Sequence, residues 1–213
     1  MNRANLLRAV GREPLFSTGM LLSPGVGLQD VRKQLSRWTA DGTVVQVRRG
    51  LYALGEPYRA VEPHPYEVSN ALVPGSYVGL ETVLADQGLI PEAVFATTAV
   101  TTGRPGVRTT PFGTFVYQHL KADLFWGYRT RAVGGSRTAF VAAPEKALLD
   151  MGYLRSHSGG PAFARELRLQ RLDSVDLDLL AAMAQRFGSR KVERFAGNVA
   201  RLARAEAEEY QDL

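Results

Sequence analysis

The order of apolar patterns predicts an α+β chain: short amphipathic helices and a hairpin in the first quarter, then strand-like runs, then helices. Three observations carry that expectation. Leu28, Val31, Leu35 and Trp38 recur at three- and four-residue steps, which one face of a helix over Leu28–Ala40 collects. Thr43–Val47 alternates as a strand does, and Leu51–Leu54 can pair with it across Arg48-Arg49-Gly50, a turn in which Gly50 supplies a positive φ. The runs Val94–Val100, Gly113–His119 and Arg137–Ala142 precede a series of helical stretches instead of alternating with them, which argues against a doubly wound sheet.

In chain order, residues 3–10 (RANLLRAV) read as a short helix stopped by Gly11. Ser17–Leu22 reads as a second one, with Ser17 or Thr18 as N-cap, and Ser23-Pro24-Gly25 as a turn. The helix over 28–40 and the hairpin complete the order of a winged helix-turn-helix within about 55 residues. Glu56–Pro65 (EPYRAVEPHP) carries three prolines and no period, so a boundary is expected near residue 60, with domains over 1–60 and 61–213. Helices are expected at about 66–72 and 80–87. The stretch TTGRPGVRTTP is a loop or a hairpin arm. Pro144 suits the first turn of a helix, and further helices are expected over about 144–155, 161–170, 174–187 and 189–209. The second part is thus expected as a mixed sheet followed by helices.

Charge is distributed unevenly. Residues 1–60 hold nine Lys/Arg against four acids, which accounts for the whole formal charge of +5, while residues 61–213 balance at 17 of each sign. A localised basic excess is the footprint of a site for a polyanion, although a solvated basic surface has the same composition. The chain has no cysteine, which excludes disulfides, thiolate metal sites and a cysteine nucleophile and fits a reducing compartment. The opening residues are too polar for a signal peptide, and no run approaches the ~18 apolar residues of a membrane span. A cytoplasmic protein without membrane contact is expected.

On the helix 28–40 the face opposite the apolar stripe carries Gln29, Lys33, Ser36 and Arg37, with Arg32 on its flank. Gln pairs bidentately with adenine, and Arg or Lys with guanine. The N-terminal part of a recognition helix meets base edges, so Gln29, Arg32 and Lys33 are the candidates for readout and Arg37 for a phosphate. Arg48 and Arg49 are placed as a wing that reaches a groove or the backbone. An amphipathic helix with a solvated face and a hairpin charged for solubility would use the same residues, and the combination of both with the charge segregation favours DNA.

Other constellations fall short. Gly134-Gly135-Ser136 with the aspartates Asp173, Asp176 and Asp178 has the ingredients of a nucleotidyltransferase metal site, but the separation is long and the aspartates sit at a helix start. Glu145-Lys146 points ~100° apart on a helix, unlike a strand-borne nuclease pair. His64, His119 and His157 lack ligand spacing. Ser23–Gly27 lacks the lysine of a phosphate loop. Tyr117, Phe125, Trp126 and Tyr128 read as core aromatics. No cofactor, no metal and no enzymatic activity are expected.

The segment VRKQLSRWTADGTVVQVRRGLYAL, with its Arg48-Arg49-Gly50-Leu51-Tyr52, resembles the N-terminal winged helix of the AbiEi family of antitoxins. The blocks HPYEVSNALVPGSYVGLETVLADQGLIPE (64–92), TTGRP (101–105), FGTFVYQHL (112–120), LFWGY (124–128) and PEKALLD (144–150) continue the resemblance over most of residues 28–155. It implies the antitoxin of a type IV toxin–antitoxin system, a repressor that binds inverted repeats in double-stranded DNA of its own promoter and counters a nucleotidyltransferase-type toxin. Two half-sites imply a dimer or cooperative monomers. A winged-helix adaptor that binds a protein partner, another transcriptional regulator, or a hydrolase or nucleotidyltransferase within 61–213 are the alternatives that the residues leave open.

Overall fold

A computed structural model describes residues 2–211. The chain is α+β, with eight α-helices and two sheets among the described residues. The first sixty residues run α1 (Arg3–Val10), β1 (Phe16–Ser17), a 3-10 turn (Thr18–Leu21), α2 (Leu28–Ala40), β2 (Val44–Arg48) and β3 (Leu51–Leu54). Asn2 caps α1, its side chain accepting from the Asn5 N–H at 2.9 Å. The three strands form an antiparallel sheet in the order β1-β3-β2. The expected second helix is thus a single 3-10 turn. The hairpin turns on two residues, Arg49 and Gly50, and Gly50 adopts φ +82°, a conformation that suits glycine.

No helix or strand lies between Leu54 and Pro65. The second part then runs α3 (Pro65–Leu72), β4 (Ser76–Val78), α4 (Leu80–Asp86), β5 (Ala96–Thr101), β6 (Gly106–Thr110), β7 (Gly113–His119), β8 (Tyr128–Gly134), β9 (Arg137–Ala142), α5 (Pro144–Leu154), α6 (Pro161–Glu166), α7 (Leu177–Phe187) and α8 (Arg190–Gln211). Its sheet has the order β6-β7-β5-β4-β9-β8. The pairs β5–β7 and β4–β9 are parallel and the others antiparallel, so the sheet is mixed as expected. TTGRPGVRTTP is a hairpin arm, since β6 lies within it and pairs with β7.

Two strands lacked a readable pattern. β4 is three residues long and buried at each of them, and β8 is an edge strand exposed at nearly every position. Period-2 alternation needs one wet and one dry face, and neither strand has that. α6 stops at Glu166, short of the expected 170, and Arg168 and Arg171 follow with positive φ. α7 begins at Leu177, three residues later than expected, with Asp176 as N-cap accepting from the Leu179 N–H at 2.9 Å.

Three apolar clusters organise the molecule. One gathers Leu6, Val10, Phe16, Val31, Leu35, Trp38, Val44, Tyr52 and Leu54 beneath α1 and α2. A large one fills the space between the second sheet and α4, α5, α7 and α8. The third joins the two parts: Val47, Leu51 and Ala53 pack on Val68, Leu72, Ala99, Phe115 and Tyr117. β3 therefore has no wet face, since Tyr52 and Leu54 point into the first cluster while Leu51 and Ala53 point into the third. The first sheet is a shared wall, and the hairpin is held against α3 and the second sheet.

Candidate nucleic-acid interface

α2 forms because its sequence satisfies both its length and its ends. Asp30 in the first turn and Arg37 in the last complement the helix dipole, and Asp41 closes it, with Gly42 following at φ +76°. Val31, Leu35 and Trp38 are buried and tie it to α1 and the hairpin. With that face fixed, the ~100° turn per residue sends Gln29, Arg32, Lys33, Ser36 and Arg37 outward. All five are exposed. Lys33 and Arg37 border a shallow hollow of about 330 Å³ together with Asp30 and Gln34.

Leu28 departs from the expected pattern. It is 40% exposed, whereas Val31, Leu35 and Trp38 are 2%, 0% and 4% exposed. As the first residue of α2 it lies beyond the end of the packed stripe.

The hairpin arginines separate into two roles. Arg49 is at the tip and exposed. The tip is tied down by the Thr18 N–H, which donates to the Gly50 carbonyl at 3.1 Å. Arg48 does not share that position: it ends β2, and its guanidinium donates to the Ala71 carbonyl through Nε at 3.2 Å and Nη2 at 3.1 Å. That carbonyl lies in the last turn of α3, where backbone oxygens lack helical partners and the dipole favours a cation. A β-bulge between Gln46 and Arg48 shifts the register there and gives Arg48 this aim. Arg48 therefore clamps the hairpin to the second part of the chain.

Other N-terminal cations are also engaged. Arg3 reaches Asp41 at 3.8 Å and donates to the Tyr58 hydroxyl at 2.9 Å. Arg59 pairs with Glu56 and Glu62 and stacks on Phe112 at 5.2 Å. Arg32, Lys33, Arg37 and Arg49 form no ion pair among the described residues. Their charge is left for solvent or for a partner.

A second cluster of functional groups lies in the core of residues 61–213. Lys146 and Asp150, one turn apart on α5, are both 0% exposed and form an ion pair. The Tyr77 hydroxyl donates to Asp150 at 2.6 Å and accepts from Lys146 at 3.0 Å. The Lys146 ammonium also lies 4.7 Å from the Phe187 ring, 5.0 Å from Trp126 and 5.5 Å from Tyr77. Burial pushes Asp150 up to about 6, against the opposing pull of Lys146 and the Tyr77 hydroxyl. Burial also lowers Lys146, against the field of Asp150, and raises Tyr77. With all three groups closed off from solvent, the cluster is a structural knot that a substrate cannot enter. The sequence singles out Lys146 only beside Glu145 and does not point to Tyr77 or Asp150; the i, i+4 spacing of Lys146 and Asp150 is the signal it offers.

The remaining constellations are structural. Glu145 is buried and its Oε1 accepts from the Asp176 N–H at 3.1 Å, while Asp176 caps α7. His64 caps α3 through Nδ1, which accepts from the Tyr66 N–H at 3.1 Å. The four aromatics divide among neighbourhoods: Phe125 and Tyr128 pack with Tyr77, Trp126 with Phe187, and Tyr117 in the third cluster, its hydroxyl donating to the Ser69 carbonyl at 2.8 Å. Among the described residues no group of three His, Cys, Asp or Glu is arranged to hold a metal ion. A hollow of about 960 Å³ between α8 and residues 170–177 is lined by Leu172, Val175, Arg204 and Glu206, with no nucleophile and base brought together. No helix among the described residues is long and apolar enough to cross a membrane.

No family model matches the chain, and no curated protein matches it. Among solved structures, the crystal structure of the RV2827C protein from Mycobacterium tuberculosis is similar, with a TM-score of 0.53 at 14% identity over 93% of this chain and 78% of that one. A likeness at that identity extends to the α+β fold.

Proposed function

We propose that the chain is a DNA-binding transcriptional autorepressor and that residues 1–60 are its winged helix-turn-helix. One observation carries this reading: a single exposed face of α2 presents Gln29, Arg32, Lys33, Ser36 and Arg37, its cations without carboxylate partners among the described residues. Arg49 at the hairpin tip adds a further free charge. Cations so placed displace counterions from phosphates, and the amide and guanidinium groups pair with base edges. In this reading α2 enters the major groove, Arg37 and Arg49 hold the backbone, and Arg48 fixes the hairpin from behind. The protein is a binding protein, not an enzyme, and acts on the cell's DNA in the cytoplasm. Paired half-sites are met by a dimer or by cooperative monomers.

The resemblance of the motif series to the AbiEi family supports a narrower role, the antitoxin of a type IV system that opposes a nucleotidyltransferase-type toxin. A mobility-shift titration on the duplex upstream of its own reading frame tests the repressor. A shift lost with Arg32→Ala and Lys33→Ala together is expected, and an unchanged shift removes the assignment. Co-expression with a neighbouring nucleotidyltransferase reading frame tests the antitoxin. Growth restored by the full chain is expected, and continued toxicity contradicts the narrower role.

A further inference from the structure

Leu28 is an apolar side chain that stands exposed at the first position of α2. Of eight large hydrophobic residues that stand exposed among the described residues, three fall in one short segment: Met20 at 42%, Leu22 at 44% and Leu28 at 40%. They belong to the 3-10 turn, the residue after it, and the first position of α2. The turn packs against α2. Along α2, exposed polar side chains lie beside Leu28. Arg32 follows one turn later on the same ridge, and Gln29 and Lys33 come next around the helix, all exposed. An apolar spot bordered by cations with no ion pair of their own suits a partner that is anionic and yet offers an apolar group.

Duplex DNA has that combination. Its phosphates supply the charge, and the thymine C5 methyl is the apolar group that a base pair displays in the major groove. The N-terminal residues of a recognition helix are those that reach base edges. We propose that Leu28 is a specificity-determining residue that packs on a thymine methyl. Beside it, Gln29 has the amide to pair with adenine, so the N-terminus of α2 selects a step of adjacent A·T pairs. This rests on the reading of α2 as a recognition helix given above.

The test begins with the full-length chain selecting from a pool of random duplexes. The enriched duplex is then remade with deoxyuridine in place of thymidine, one position at a time, which removes a single methyl and leaves every hydrogen-bonding group in place. At one thymine of each half-site the change weakens binding about fourfold, the effect of one buried methyl-sized group. Leu28→Ala weakens binding to the thymidine duplex by a similar factor and makes the two duplexes equivalent. It leaves the slope of log K against log salt unchanged, because no cation is lost. Leu28→Met, which keeps an apolar reach, retains the preference. The exposure of Leu28 lets these variants fold, and equal melting temperatures check that.

Equal binding of thymidine and deoxyuridine duplexes at every position overturns the proposal while leaving sequence-specific DNA binding intact. A preference that survives in Leu28→Ala overturns it too. If Leu28→Ala instead converts a dimer to a monomer in sedimentation without touching the preference, the patch is a self-association surface and the proposal fails. If no duplex is enriched, DNA reading itself fails, and this inference fails with it.

Discussion

α2 and α5 are helices of similar length that use their polar residues in opposite ways. α2 buries three of its thirteen residues, and its cations stand on an open face. α5 buries eight of eleven, Glu145, Lys146 and Asp150 among them. A charge inside the fold has to be matched on the spot, and Lys146 is matched by a carboxylate, the Tyr77 phenol and the rings of Trp126 and Phe187. Arg32, Lys33 and Arg37 need no such matching, because water solvates them until a partner replaces it. The difference separates charge that the fold consumes from charge that it leaves available.

The largest expected effect lies on the α5 side. Lys146→Met alone removes the cation that holds Asp150 ionised, leaves a buried carboxyl with the Tyr77 hydroxyl as its partner, and costs about 3–5 kcal/mol of stability. Adding Asp150→Leu removes the stranded carboxyl and recovers most of the loss in the urea midpoint, the buried Tyr77 hydroxyl being left without its two partners. If Lys146→Met alone is harmless, the two helices do not differ in the way described. pH sharpens the contrast. Asp150 is raised from 3.8 to about 6, so the folded chain holds its proton more tightly than the unfolded chain. The stability this group contributes is present below pH 3.8 and is lost as pH rises through about 6. The doubly substituted chain lacks that component of the stability profile.

On the α2 side the expected effects appear in binding and not in folding. Arg32→Ala with Lys33→Ala shifts stability by less than about 0.5 kcal/mol. The same pair weakens binding to the preferred duplex and relaxes its preference over unrelated duplexes. A melting transition that falls as binding falls would show that these side chains belong to the fold.

The hairpin gives a comparison within two adjacent residues. Arg48→Ala removes both bonds to the Ala71 carbonyl and costs roughly 1 kcal/mol of stability, reduced from the buried value by solvent. Arg49→Ala leaves stability unchanged and weakens binding. Reversed outcomes would exchange the clamp and the contact. Smallest of all is the exposed pair Arg131–Asp86, where Asp86→Ala costs less than about 1 kcal/mol by chemical denaturation.

The same contrast explains what could be read from the sequence. α2 was legible because one wet and one dry face leave a period in the residues, and its exposed side chains follow from that period. The hairpin and the strands β7 and β9 were legible at their ends from Gly50, Gly113 and the alternation between their faces. α5 was placed by Pro144 and Glu145, but its interior had no period, since a helix buried all round shows none. The pairing of Lys146 with Tyr77 joins residues 69 apart in sequence, which no local pattern encodes. The sequence places Arg48 at the hairpin tip beside Arg49 and Gly50. The bulge and the α3 carbonyl that capture it depend on how the two parts of the chain dock.

Charge left free on α2 and the hairpin tip is tested most directly by the salt dependence of duplex binding. If Arg37 and Arg49 each neutralise one phosphate, log K falls against log salt with a slope near −1.8 per bound chain, about a tenfold loss between 50 and 200 mM. Replacing both by alanine brings the slope near zero. Binding that ignores salt, or a slope that survives the loss of those two side chains, would contradict the account.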